Sequence, residues 1–353
     1  MKPQMTLYLS DKMKVLSFIA ITMVIYIHTY YTEGDAYSAF STLQRFCGGV
    51  GISGVANPLF YFISGYLFFM GMTNVSECFP KIKKRIRTLF VPYLLANTIA
   101  FAMYAALDGI SRLSPALYNV VNFHILDWFK LDLPTILYNV YWGPVAFQLW
   151  FVRDMMIFVL LSPIIYCCMK LFASKRWLAI GSLILLLATY AFTSMHVIWM
   201  AIGGIIAMTG IIDITEFGST RMKDIVMLLC IGIFFIISFL VSANVYEIPF
   251  KGHSLFGVIG LWMLYDRIVS GRLLLPKSQW LTTSCSLTFF IYLVHEPTLL
   301  IFKKIPLLLS SGELALTLSF LLVPLIFISA TIYIGALLRK WIPNAFSLYV
   351  GGR

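Results

Sequence analysis

The feature that most constrains the fold is a series of apolar segments, each about 20 residues long, that recur along the chain. Hydrophobic residues make up 60% of the 353 residues and charged residues only 12%, whereas a soluble domain has about 25% charged residues. A helix of about 20 apolar residues crosses the roughly 30 Å hydrocarbon core of a bilayer. The sequence therefore predicts an all-α, polytopic membrane protein without a large soluble domain.

Ten of these segments are predicted to be transmembrane helices of one integral membrane domain that covers residues 1–353. The predicted spans are 14–32, 50–72, 88–108, 148–170, 177–194, 195–212, 224–242, 253–270, 283–302 and 315–338. Only the polar residues Thr193, Ser194 and His196 indicate a break between the fifth and sixth spans. If these two spans were one structure, the parity of the topology would change.

The distribution of Lys and Arg predicts the orientation of the spans. With the N-terminus inside, the inner segments hold 19 of the 26 Lys and Arg residues, the outer segments hold six, and Arg153 lies within the fourth span. Basic residues are retained on the cytoplasmic side, so both termini are predicted to be cytoplasmic. The net charge of +11 thus reflects topology, and no nucleic-acid partner is expected because no soluble segment interleaves aromatic and basic residues.

The six cysteines form no CxxC pair, so the sequence predicts neither a zinc site nor a disulfide framework. Ionisable groups inside spans are more informative, because they are costly in lipid and usually face a cavity. His28 lies 14 residues after Lys14, roughly 20 Å from the inner face at 1.5 Å per residue. The ionisable groups at similar predicted depth are His28, Arg153, Asp154, His295 and Glu296, with Pro297 interrupting the helix beside the last two.

These positions also have structural interpretations. His28 could be an interfacial residue in an aromatic belt with Tyr26, Tyr30 and Tyr31. Arg153 and Asp154 could be an ion pair that anchors helices, or the arginine could line a cavity and hold a polar or anionic substrate group. Three further histidines are predicted to be interfacial, because they lie at span ends or in a loop: His124, His196 and His253.

The stretch "FPKIKKRIRTLFVPYLL" places five basic residues within seven positions just before the third span, on the predicted cytoplasmic side. One interpretation is orientation of the span together with contact to anionic lipid headgroups. The alternative is a site for a phosphorylated cytoplasmic cofactor, because clustered Lys and Arg neutralise phosphates and Arg binds them in a fork. The residues proposed for such a site are Lys83, Lys84, Arg85 and Arg87.

Five stretches occur in an order and spacing that resemble the integral membrane acyltransferase-3 family. They are "KVLSFIAITMVIYIHTY", "NPLFYFISGYLFF", "KIKKRIRTLFVPYLLAN", "LWFVRDMMIFVLLSP" and "FFIYLVHEP". The chain is most similar to the O-acetyltransferase branch, which modifies bacterial cell-surface sugars. The resemblance implies a ten-helix enzyme of the bacterial cytoplasmic membrane that moves an acetyl group from cytoplasmic acetyl-CoA to a hydroxyl of a surface polysaccharide or lipid-linked sugar.

The resemblance also implies roles for individual residues. The family's essential histidine near the end of the first span matches His28, and its basic stretch, which implies contact to the CoA phosphates, matches Lys84, Arg85 and Arg87. The turn at Ser64 and Gly65 implies close approach of helices. Candidate catalytic residues are His28, Arg153, Asp154, His295 and Glu296, and candidate substrate-binding residues are Arg45, Trp150 and Tyr66.

Two features depart from the family pattern. Many members carry an arginine eleven positions before the histidine, where this chain has Ser17. Members often show an RxxR spacing before the third span, where this chain has Lys84 with Arg87, or Arg85 with Thr88. The cation that accompanies His28 is therefore expected from Arg153 or Arg45. A non-catalytic membrane partner is one alternative function, favoured if the departure at Ser17 has removed activity.

The mechanism expected from these residues is general base catalysis. A neutral imidazole can accept the proton of a sugar hydroxyl as it attacks the thioester, and Arg153 can stabilise the oxyanion while Asp154 holds it. Glu296 or Asp154 could hold the imidazole, and an acetyl-histidine intermediate is equally consistent with the sequence. A transporter is the other alternative, but it predicts inverted repeats, and the sequence contains no such repeat.

Overall fold

The computed structural model of the protein describes residues 5–31, 38–113, 124–193, 195–217, 220–243, 252–270, 278–307 and 312–352. The regular structure in these ranges is helical, with no β-strand. The α-helices are α1 (Leu7–His28), α2 (Ala39–Cys47), α3 (Ala56–Phe69), α4 (Cys78–Arg85), α5 (Val91–Ser111), α6 (Leu133–Leu137), α7 (Trp150–Phe172), α8 (Arg176–Thr193), α9 (Ile198–Thr209), α10 (Arg221–Ser242), α11 (Ser254–Ser270), α12 (Gln279–Ser286), α13 (Thr288–Leu307), α14 (Glu313–Trp341) and α15 (Pro343–Tyr349). Two π-helical turns, Ile86–Phe90 and Tyr138–Trp142, precede α5 and follow α6.

All ten predicted spans fall on helices. In the described part of the chain, six helical stretches are long and apolar enough to cross a bilayer, or seven if α12 and α13, bent by 63°, form one span. The other three predicted spans correspond to α1, which carries three charged residues in its first half, and to the shorter helices α9 and α11. The prediction of an all-α polytopic membrane protein is confirmed, while the count of ten and the cytoplasmic termini stay predictions.

The predicted break between the fifth and sixth spans is present. Helix α8 ends at Thr193 and α9 begins at Ile198, so the two segments are separate helices. Several residues used in these predictions lie outside the described residues: Ser194 at this break, and the counted cations Lys2, Lys251, Arg272, Lys277 and Arg353.

The outer helices present large apolar side chains that no other described part of the chain covers. Only 28% of the most apolar window of α10 is buried, and Leu228, Leu229 and Ile236 on that helix are exposed. Such a continuous apolar surface is unfavourable in water. In a bilayer it contacts lipid, while the helical hydrogen bonds satisfy the backbone.

Helix α1 lies inside this ring of helices. It contacts α3, α12, α13 and α14, and its buried side chains, including Leu9, Leu16, Ile21 and Ile25, point to more than one side. A helix that is apolar all round is expected to be buried rather than to face solvent on one side. The core position of α1 therefore places its last residue, His28, within the helix bundle.

The N-terminal half of α1 is fixed by a buried ion pair. Lys12 is 0% exposed, and its ammonium lies 2.8 Å from both carboxylate oxygens of Asp266 on α11. The Tyr8 hydroxyl donates to the same carboxylate at 2.6 Å, and the backbone N–H of Phe217 donates at 3.0 Å. Buried charges require this complete pairing. Lys12, which was counted as a loop cation, is therefore a core residue that joins α1 to α11.

The closest approach of two helices is between α3 and α9. A Cβ added at Gly65 would overlap the backbone carbonyl of Met200, and a Cβ added at Gly203 would overlap the carbonyl of Phe62. Small residues allow this close packing between membrane helices, where dispersion contacts replace the hydrophobic effect as the driving force. The close approach that the sequence resemblance implied at Gly65 is thus present.

We predict that Gly65→Ala and Gly203→Ala each lower the free energy of unfolding by about 1–3 kcal/mol, because the added methyl group forces the two backbones apart. The matched control is Gly181→Ala on α8, where an added Cβ meets nothing within 4 Å. Thermal unfolding of the detergent-solubilised protein measures the effect. Equal midpoints for all three variants would contradict the prediction.

Candidate active site

Two histidines from distant parts of the chain meet at the end of α1. His28 is the last residue of α1, and its ring centroid lies 5.1 Å from that of His295 on α13, with the planes inclined by 32°. The edge of Phe147 contacts the His28 ring, at a centroid distance of 4.9 Å. The equal depth predicted for His28 and His295 therefore corresponds to direct contact between the two imidazoles.

The position of His295 defines which of its nitrogens can accept a proton. The side chain is 0% exposed, and Nδ1 lies 2.8 Å from the backbone oxygen of Tyr292. A carbonyl oxygen only accepts, so Nδ1 carries the hydrogen, and in the neutral ring Nε2 then has a free lone pair. Nε2 is buried and has no hydrogen-bond partner among the described residues. Buried polar atoms without partners are uncommon and often have a chemical role.

Glu296 lies directly after His295, where the chain leaves the helical conformation. Its dihedral angles are φ −113° and ψ 134°, as expected for a residue that precedes a proline. The side chain is 7% exposed and forms a hydrogen bond with the Tyr104 hydroxyl. The backbone oxygen of Glu296 accepts a hydrogen bond of 3.3 Å from Gln148 Nε2. The interruption of α13 thus coincides with a buried carboxyl group that directly follows His295 in the chain and is held by Tyr104.

The segment before α7 closes this cluster from one side. The Tyr292 hydroxyl donates to the backbone oxygen of Gln148 at 2.5 Å, and Phe147 contacts His28 as described above. Tyr292 also packs edge-on against the His295 ring, at a centroid distance of 5.8 Å. The 3-10 turn Phe147–Leu149 is therefore held against α13 by two hydrogen bonds of Gln148, one from its side chain and one to its backbone oxygen.

A cation that the sequence did not reveal lies beside His28. The ammonium of Lys303, in the second half of α13, donates to the backbone oxygen of His28 at 3.0 Å and lies 5.8 Å from the centre of the Tyr31 ring. It also interacts electrostatically with the Glu296 carboxylate. Sequence reasoning assigned Lys303 to an outer loop and sought the cation at Arg153 or Arg45. Lys303 lies six residues after Pro297, in a segment whose sequence still favours a helix, and this position could have indicated it.

Arg153 and Asp154 form an ion pair one turn into α7. The guanidinium donates to one Asp154 oxygen from Nε at 3.0 Å and from Nη2 at 2.9 Å, and Nη1 donates to the Trp142 backbone oxygen at 2.8 Å. Arg153 also lies over the Trp142 ring and is 26% exposed. The Asp154 carboxylate interacts electrostatically with a group of tyrosines, Tyr61, Tyr93 and Tyr292.

Arg153 lines a cavity of about 570 Å³ that is almost entirely apolar. Arg85 from the basic stretch lines the same cavity, and aromatic side chains, among them Phe90, Tyr93 and Trp142, contribute much of its wall. The cavity therefore extends from the basic stretch to the first turn of α7. Tyr93 belongs both to the cavity wall and to the tyrosine group that reaches Tyr292 and hence the histidines.

The remaining predicted residues lie apart from these two features. Lys83, Lys84 and Arg87 are exposed around the half-buried Arg85. Arg45 donates from Nε to the backbone oxygen of Ser242 at 2.7 Å, at the end of α10. Tyr66 is 2% exposed near the C-terminal end of α3. None of the contacts described for these residues includes His28 or His295.

Trp150 begins α7 and packs edge-on against Phe151, at a centroid distance of 6.1 Å. It is therefore near the Gln148 segment in sequence, and it is half-buried.

Of the residues predicted to be interfacial, His124 is exposed and lies 3.9 Å from Asp108, whereas His253 is buried against Phe234.

Comparison with known proteins agrees with the family indicated by the sequence blocks. A curated relative, the succinoglycan biosynthesis protein ExoH of Rhizobium meliloti (strain 1021), is 22% identical over 360 residues, which cover 98% of this chain and 92% of the relative. No solved structure matches the chain. The model of the acyltransferase-domain family matches residues 12–340, a range that includes both histidines, the basic stretch and the Arg153–Asp154 pair. The chain therefore belongs to the integral membrane acyltransferase-3 family.

Proposed function

We propose that the protein is an O-acetyltransferase of the bacterial cytoplasmic membrane, which moves an acetyl group from cytoplasmic acetyl-CoA to a hydroxyl of a surface polysaccharide or lipid-linked sugar. The observation that carries this proposal is the contact between His28 and His295 at the end of a core helix in a member of an acyltransferase family. The relative's role in succinoglycan biosynthesis supports a glycan acceptor.

The residues present fit a CoA donor. Four cations lie within five positions, Lys83, Lys84, Arg85 and Arg87, and the innermost of them lines the cavity. Exposed lysines and arginines neutralise phosphates, and Arg binds them in a fork. In the proposed arrangement the CoA phosphates contact this stretch, and the pantetheine arm extends through the cavity so that the thioester lies near Arg153.

The histidines supply the base for the reaction. A sugar hydroxyl ionises far above neutral pH, so its attack on the thioester carbon requires a group that takes its proton. The His28 imidazole accepts that proton while the new C–O bond forms. The C–S bond then breaks, and the proton passes to the departing CoA thiolate, which balances the transfer. The lone pair on His295 Nε2 gives the same cluster a second acceptor in contact with His28.

Two charged groups complete the proposed chemistry. The guanidinium of Arg153 is held by Asp154 and by the Trp142 carbonyl, and a fixed cation stabilises the negative charge that develops on the thioester oxygen. In the proposed mechanism the buried Glu296 carboxylate, which interacts with Lys303 at the end of α1, compensates the positive charge that His28 gains when it accepts the proton. The acceptor reaches this cluster from the side of the membrane opposite to the basic stretch.

We predict that His28→Ala abolishes O-acetylation, with a loss of about 10²–10⁴-fold, the usual contribution of a general base. His295→Ala is expected to cause a loss of similar order, because it removes the acceptor nitrogen in contact with His28. The measurement is the O-acetyl content of surface glycans in a deletion strain complemented with each variant.

The control for the histidine variants is His124→Ala, because His124 is exposed near Asp108 and distant from the cluster in the chain. It is expected to restore wild-type O-acetylation. Restoration by His28→Ala to the level of the wild type would refute general base catalysis by this residue. A deletion strain whose glycans keep all their O-acetyl groups would refute the proposed function itself.

We predict that Arg85→Gln raises the KM for acetyl-CoA by about tenfold or more, because a hydrogen bond to a charged group contributes about 1.5–3 kcal/mol. Lys83→Gln, at an exposed position of the same stretch, is expected to have a smaller effect. Lys175→Gln is the matched control, since it removes a cation from another exposed inner position. The assay is incorporation of label from acetyl-CoA into membrane vesicles. An unchanged KM for all three variants would mean that the basic stretch serves only orientation and lipid contact.

A further inference from the structure

Helix α1 ends at the residue on which the proposed chemistry depends, so its last carbonyl groups need partners. The last four C=O groups of a helix have no partner within it. In α1, the Ile25 oxygen accepts from Thr29 Oγ1 at 2.7 Å, and the Tyr26 oxygen accepts from the Thr29 backbone N–H at 3.2 Å. The His28 oxygen accepts from Lys303 Nζ at 3.0 Å. The final carbonyl of α1 is thus capped by a side chain from another helix.

A cation is well suited to this position. The C-terminal end of a helix carries partial negative charge, which a nearby ammonium stabilises. The ammonium of Lys303 also lies over the Tyr31 ring at 5.8 Å and interacts with the Glu296 carboxylate. These contacts come from both sides of the junction between α1 and α13. They hold the ammonium at the rim of the histidine cluster rather than in solvent.

The location of Lys303 on α13 gives the contact a specific geometric effect. His295 precedes the non-helical residue Glu296, and Lys303 follows it. The first half of α13 therefore contacts His28 through a ring, and the second half contacts it through a hydrogen bond to its backbone. With both contacts present, the end of α1 is fixed relative to each half of the broken helix.

We propose that Lys303 is a positioning residue that fixes the end of α1 and thereby holds the His28 imidazole against His295. This inference rests on the proposed acyl transfer for its kinetic consequence, but the geometric part does not depend on it. On this inference the cation next to His28 is Lys303 of α13, in a chain that has Ser17 where an arginine was expected. Loss of the ammonium leaves the His28 carbonyl and the Glu296 carboxylate without this partner.

The kinetic test uses Lys303→Met, Lys303→Arg and the control Lys304→Met in membrane vesicles supplied with labelled acetyl-CoA. We expect Lys303→Met to lower kcat by about 100-fold, the effect of a displacement of about 1 Å at a reacting group, with the KM for acetyl-CoA unchanged. Lys303→Arg keeps both the charge and a donor and is expected to recover most of the rate. Lys304→Met is expected to match the wild type, because no side-chain contact is described for Lys304 in the structure.

Three kinetic results would overturn the assignment. They are an unchanged kcat in Lys303→Met, a raised KM with kcat retained, and an arginine variant as slow as the methionine variant. A raised KM with kcat retained would indicate a role in donor binding. An arginine variant as slow as the methionine variant would indicate a requirement for the shape of the lysine side chain alone. A general loss of folded protein would also lower the apparent kcat without changing KM, so each rate is normalised to the amount of folded protein in the vesicles.

A second measurement does not require activity. Diethyl pyrocarbonate modifies accessible imidazoles, and mass spectrometry reports the rate at His28 in the full-length protein in detergent. Local opening of the α1 end in Lys303→Met is expected to raise this rate by about threefold, with Lys303→Arg and Lys304→Met close to the wild type. An equal rate in Lys303→Met would overturn the proposal. Absence of acetyl incorporation by the wild type, with faster labelling in Lys303→Met, would refute the proposed function and retain the positioning role.

Discussion

The interruption of α13 at Glu296 is the constraint on which the arrangement around His28 depends. In a straight helix, eight residues rise about 12 Å, so the ring of His295 and the ammonium of Lys303 would belong to distant levels. Because Glu296 adopts a non-helical conformation, the first half of the helix presents an imidazole to His28, and the second half presents a cation to its backbone. The buried Glu296 carboxylate interacts electrostatically with this cation and forms a hydrogen bond with the Tyr104 hydroxyl.

The sequence predicted the depth of the histidine cluster but not its lateral arrangement. Hydropathy and the positions of Lys and Arg placed His28, His295 and Glu296 at one level, and the first two are in contact. Depth is a one-dimensional quantity, however, and it cannot tell which helices are neighbours within the bilayer. Arg45, placed on the same side by the same reasoning, binds the end of α10. Selecting among residues at equal depth requires the helix packing, which no local pattern in the chain encodes.

Two lysines show a related limit of reasoning from charge. A count of loop cations treats each Lys as a solvated group whose only role is orientation. Lys12 is fully buried and pairs with Asp266, 254 residues later in the chain, and Lys303 caps a helix that ends 275 residues earlier. Both charges are consistent with the predicted topology, and both also have specific partners. The count predicts only the orientation of the spans, and a few paired cations do not change a bias of 19 to 6.

The separation of the cavity from the histidines determines how a donor and an acceptor could meet. Arg85 and Arg153 line the cavity, whereas His28 and His295 do not. The link between them is a pair of tyrosines: Tyr93 lines the cavity, and Tyr292 interacts with Tyr93 and packs against His295. Tyr292 is also fixed by its hydrogen bond to Gln148, next to the residue that contacts His28. In the proposed arrangement these tyrosines separate the thioester beside Arg153 from the imidazoles that take the proton of the acceptor. A barrier of this kind would keep the thioester from bulk water on the opposite side until an acceptor hydroxyl occupies the histidine cluster.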